Sequence, residues 1–157
     1  MRTMTHTSPP SAALDGRTRR LGLPVLALIG LAALGLPRVV LHDLHLIDEA
    51  QPASWLLALG PVAVWILVAV RRKVPNPFLT VLVIGLVLGV MVVVTHQVLW
   101  DQVYADNPAF LSNGNAAGFA RLAVIPGGLF AGALLGTVGG VIARGAQAVV
   151  RARSARR

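Results

Sequence analysis

The chain contains no cysteine, so disulfides, thiol nucleophiles and zinc–thiolate sites are excluded from the outset. Charge is scarce as well. Only 13% of its 157 residues are charged, whereas a soluble domain carries about a quarter. With 55% hydrophobic residues, the chain holds more apolar side chain than one aqueous core can bury, and the surplus must face lipid. Acids number only six, and none falls within the four apolar segments identified below. A proton- or cation-coupled carrier ordinarily needs such a carboxylate near the membrane midplane. P-loop, dinucleotide and HExxH signatures are missing too, so the expectation is a non-enzymatic protein without a cofactor. Lysine is nearly absent: Lys73 is the one lysine among fourteen basic residues. That bias, with abundant Ala, Val, Leu and Gly, is the composition of a GC-rich bacterial genome.

What is present is a set of four apolar segments, at about 21–41, 53–70, 78–100 and 122–143. At 1.5 Å per helical residue they extend roughly 27–35 Å, enough for a hydrocarbon core of ~30 Å. The sequence therefore predicts an all-α polytopic membrane protein, a bundle of four transmembrane helices over residues 21–143. Pro37 removes a backbone donor and crowds the carbonyl of Ala33, which predicts a kink in the first span. Pro75-Asn76-Pro77 separates the second span from the third. Residues 1–20 lack apolar periodicity and read as a disordered basic tail. The apolar run behind them could serve as a signal-peptide core, but it lacks a small-x-small cleavage site, and it is read as a retained span.

Twelve of the fourteen basic residues lie in the N-terminal tail, at 71–73 or in the C-terminal tail 144–157. Arg38 and Arg121 alone fall on the other side, together with five of the six acids. The positive-inside rule then predicts an N-in/C-in plasma-membrane protein with both termini cytoplasmic. Blocks of arginine between apolar spans do not form a nucleic-acid surface. They fit anionic lipid, with Arg151 and Arg153 at the inner leaflet and residues 144–157 forming an interfacial helix. Trp55, Trp100 and Tyr104 are expected at the outer interface.

Glycines recur along the fourth segment at 128, 132, 136, 139 and 140. A helical wheel puts them in one sector, with Phe130, Leu134, Val138 and Val141 largely opposite, toward lipid. Gly85 and Gly89 share a face of the third segment. Small residues at such spacing let helix backbones touch, so the third and fourth helices are expected to pack through these glycines. Dimerisation of the fourth helix, or a glycine-lined pore, is the alternative use of the same stripe.

His96 lies on the same side of the third segment as its glycines and is expected to point into the bundle. If the first helix ran on beyond the membrane surface, His42, His45 and Glu49 would fall at i, i+3 and i+7 on one face. Imidazole and carboxylate at that spacing can ligate a divalent metal, and His96 could add a ligand or bind haem axially. The plainer reading is a solvated acidic loop and a histidine hydrogen-bonded between helices. The leading functional expectation is a structural or interaction component that packs with another copy or another membrane protein. A metal- or haem-binding protein and a small transporter or channel are the alternatives.

Overall fold

The computed structural model describes residues 20–47, 52–104 and 106–156; the N-terminal tail to residue 19, Asp48 and Glu49 lie outside them. Helices α1 (Val25–Ala33) and α2 (Leu36–Asp43) are followed by α3 (Pro52–Arg71), α4 (Pro77–Val98) and the short α5 (Trp100–Val103) and α6 (Pro108–Ser112). The last helix, α7, runs from Gly114 to Ser154. No strand occurs among the described residues. Counting α1 and α2 as one span, four helical segments are long and apolar enough to cross a membrane. Exposed Leu26, Leu56, Phe130 and Val138 on their outer faces have only lipid to cover them.

The first span is broken where Pro37 predicts it. The α-helical ladder gives way at Leu34 and Gly35, whose amides donate to Leu31 O (3.3 Å) and Ala32 O (3.0 Å) in tighter i→i−3 bonds. Pro37 then sits in the first turn of α2, where its missing N–H costs nothing. At the far end of α2, Leu46 N–H donates to Leu41 O and His45 N–H to His42 O, both at 2.9 Å. This is a Schellman stop, with His45 at φ 55° in the left-handed position usually held by glycine.

Two boundaries differ from the sequence reading. The stretch 101–121 between the third and fourth apolar segments holds most of α5, all of α6 and the first turns of α7. That last helix starts early because Asn113 Oδ1 accepts the amide of Ala116 (3.2 Å) and caps it. At its other end, residues 144–154 are not a separate surface helix. No proline interrupts them, and α7 continues for 41 residues to Ser154, about 60 Å in length and twice the hydrocarbon thickness. Its buried face likewise continues past residue 143. Gln147 is 3% exposed and its Nε2 donates to Val74 O at 3.1 Å.

The closest approach in the bundle is between α4 and α7. A Cβ on Gly85 would collide with Gly132 O and stand 2.6 Å from Gly136 Cα. One on Gly132 would collide with Gly85 O and stand 2.7 Å from Gly89 Cα. Farther along, Gly89 meets Gly128 O, while Gly140 meets Phe78 O and Gly139 faces the side chains of Val62 and Val81. At this separation backbone meets backbone, and dispersion with Cα–H···O contacts supplies the attraction.

Against this pair lie α3 and the first span. Trp65 is fully buried and donates Nε1–H to Leu31 O at 2.7 Å, tying α3 to the carbonyls just before the break. Trp65→Phe retains most of the ring but removes that donor. It is expected to cost about 0.5–1.5 kcal/mol, read as a modest drop in the thermal midpoint of the purified protein. An unchanged midpoint would mean that the tie contributes nothing.

Candidate functional site

Two ends of the bundle can be told apart by charge. Arg71, Arg72, Lys73 and Arg144 mark the basic end; Asp43, Asp101 and Asp106 cluster at the other, the acidic end. The sequence reading put Asp43 in solvated loop, and the structure corrects this. Asp43 is the last residue of α2, belongs to the first membrane-spanning segment and is only 2% exposed. The reason is the break at Gly35. A Cβ there would stand 2.8 Å from Leu88 Cδ2, so glycine lets the chain settle on α4 and start α2 in a new phase. The expectation that no acid lies within the spans falls with it.

A buried carboxylate must be paired and hydrogen-bonded to be tolerated. His96, near the end of α4, supplies the partner: its Nδ1 donates to Asp43 Oδ2 at 2.5 Å. A carboxylate oxygen accepts, so the bond is written with the imidazole Nδ1–H as its donor. The other oxygen, Oδ1, lies 3.7 Å from His42 Nδ1. Next to His96, Gln97 Nε2 donates to Arg121 O at 2.8 Å. Adjacent residues of α4 thus tie it to α2 and to α7.

The pair borders a cavity of about 370 Å³ that reaches inward from the acidic end. Its polar lining comprises Arg38, His42, Asp43 and His96, and its apolar walls include Trp65, Leu88 and Val92. Arg38 and His42 stand one turn apart on α2. Arg38 Nε is enclosed with no hydrogen-bond partner, and among the described residues no carboxylate lies within ion-pair distance of the guanidinium. The cavity therefore carries a hydrogen-bonded carboxylate and a guanidinium whose Nε has no partner.

Of the proposed metal set, His42 and His45 do not share a helical face. The Schellman stop ends α2 at Asp43 and turns His45 off the helical face that carries His42; Glu49 lies outside the described residues. His45 Nε2 instead lies 3.6 Å from Asp106 Oδ2. His42 and His96 do meet, on the two oxygens of Asp43. Among the described residues no three His, Asp or Glu side chains converge to hold a metal ion.

Of the expected interface aromatics, Trp55 is exposed, but Trp100 is 3% exposed. The ring of Trp100 packs on Tyr104 (centroids 4.6 Å apart) and lies under the Arg121 guanidinium at 4.9 Å. These contacts enclose the ring, and hydropathy does not register them. Arg151 and Arg153 are exposed on the last turns of α7. Sequence reasoning gave Arg38 no role beyond its place on the less basic side and missed Trp65. The i, i+4 spacing of Arg38 and His42 was the signal available, since it puts two polar groups on one face of a membrane helix.

Compared with known protein families, with curated proteins and with solved structures, the chain matches none.

Proposed function

We propose that this is a non-enzymatic, multi-pass protein of a bacterial plasma membrane that binds a small amphipathic anion within its bundle. Both termini are cytoplasmic in this reading, which the segregation of arginine supports. The observation that carries it is the Arg38 guanidinium, its Nε enclosed without a hydrogen-bond partner, at a cavity with apolar walls where the Asp43 carboxylate is already hydrogen-bonded to His96. An anion with a short hydrocarbon body meets both requirements. Its carboxylate reaches the guanidinium by charge-assisted hydrogen bonds, and its body lies against Trp65, Leu88 and Val92. The volume falls within the roughly 300–1,000 Å³ of small-molecule sites. The broken first span is itself a feature of membrane proteins that hold solutes, because irregular backbone is tolerated where it lines a cavity. The glycine faces support this reading over partner recruitment: α4 and α7 use them on each other, leaving larger apolar side chains outside.

The test is quenching of Trp65 fluorescence by a brominated medium-chain carboxylic acid, on protein in nanodiscs. Saturable quenching is expected for the parent protein, absent in Trp65→Phe. Arg38→Gln is expected to weaken it about tenfold or more, the loss of one charge-assisted contact. Linear quenching, identical in the parent and Arg38→Gln, would show only partition into the bilayer and would defeat the proposal.

A further inference from the structure

Two further cavities adjoin at the basic end, remote from the Asp43–His96 site. One, about 370 Å³, is lined by Asn76, Pro77, Arg144, Gln147 and Arg151 among others. The other, about 480 Å³, lies against Phe78, Val141, Arg144, Gly145 and Ala148. They share Arg144 and Ala148, so a polar chamber and an apolar groove adjoin at the same two residues. Val141 lies one turn before Arg144 on α7, which directs the groove toward the hydrocarbon.

We infer that this composite site holds one phospholipid with an anionic headgroup, its phosphate between Arg144 and Arg151 and an acyl chain along the groove. Four observations support it. Among the described residues Arg144 and Arg151 have no acidic neighbour, because the acids there all lie at the other end of the bundle. The chamber also faces the first turn of α4, capped by Asn76 with Pro77 behind it, where the helix dipole adds partial positive charge. Gln147, 3% exposed, gives its Nε2–H to Val74 O while its Oε1 is buried without a partner. A headgroup hydroxyl, or a water carried in with it, supplies the donor that oxygen requires. Finally, a Cβ on Gly145 would meet nothing within 4 Å, so the groove has room for a chain. Free phosphate would use the chamber alone; a lipid uses both parts.

Native mass spectrometry on the full chain, released from nanodiscs of equal phosphatidylglycerol and phosphatidylcholine, tests the assignment. The parent protein is expected to retain phosphatidylglycerol at least tenfold over phosphatidylcholine. Arg144→Ala/Arg151→Ala is expected to lose that preference, as two basic contacts at a membrane surface imply. Gly145→Leu keeps every charge and fills the groove, and is expected to lose the retained lipid while remaining folded. Arg153→Ala/Arg156→Ala removes the same charge elsewhere on α7 and is expected to behave like the parent. Equal retention of the two lipids would overturn the site. So would an Arg153/Arg156 variant as defective as the Arg144/Arg151 one, or displacement of the lipid by millimolar inorganic phosphate.

Discussion

Gly132→Leu is expected to abolish the folded bundle, whereas Leu134→Ala two residues away is expected to be nearly silent. The contrast follows from what each position faces. A Cβ at Gly132 runs into Gly85 O and the backbone of Gly89, and backbone cannot rotate aside as a side-chain tip can. Overpacking by even one carbon in a tight core costs about 1–3 kcal/mol, and leucine adds three more carbons to that position. Accommodating it means separating α4 from α7 along their whole seam, which removes the support for the remaining helices. Domains are stable by only about 5–15 kcal/mol, so a single such change can consume the margin. Gly136→Leu acts in the same direction, since its Cβ would stand 3.0 Å from Leu82 Cα and O. Gly127, with nothing within 4 Å of a Cβ, should accept leucine, and Leu134 is 52% exposed on the lipid side. Detergent-solubilised yield and thermal midpoint by fluorescence-detected size exclusion separate the two groups. If Gly132→Leu and Gly127→Leu unfold together, the seam does not hold the bundle.

His96→Ala is expected to produce the second large loss. It leaves the Asp43 carboxylate, 1% exposed at its side chain, without its hydrogen-bond donor. Breaking one half of a buried pair costs about 3–5 kcal/mol. Asp43→Asn should cost less, because the amide oxygen still accepts from His96 Nδ1. The informative variant is Asp43→Leu/His96→Leu, which removes the carboxylate and its partner together and fills the space; replacing a buried polar pair by apolar groups is often neutral or stabilising. The expected order of thermal midpoints is parent and double variant together, Asp43→Asn lower, His96→Ala lowest. A His96→Ala midpoint equal to the parent's would place Asp43 in water.

The parts of this architecture that were readable in the sequence are those set by local periodicity. Four apolar runs, the break at Pro37 and the four-residue glycine ladder each depend on residues within one or two turns of each other. The ladder even extends by the same spacing to Ala143 and Gln147, but charge in that segment masked the continuation. Asp43 was not legible in this way. Its burial depends on a histidine 53 positions away and on a change of helix phase at Gly35, and neither leaves a mark in a hydropathy window. His45 and Glu49 were grouped with His42 because helical spacing was extended through a stop signalled only by a left-handed histidine. Trp100 was assigned to the interface by residue type, and its packing against Tyr104 and Arg121 was not legible in that assignment.

The whole account turns on Asp43 lying inside the bundle against His96, at the mouth of the Arg38 cavity. Nitrogen-15 NMR of histidine-labelled protein in nanodiscs observes that contact most directly, with His96 assigned by His96→Gln. The expected result is a His96 ring protonated at Nδ1, with a strongly downfield hydrogen-bonded proton that moves upfield in Asp43→Asn. A His96 spectrum unchanged by Asp43→Asn would contradict the account.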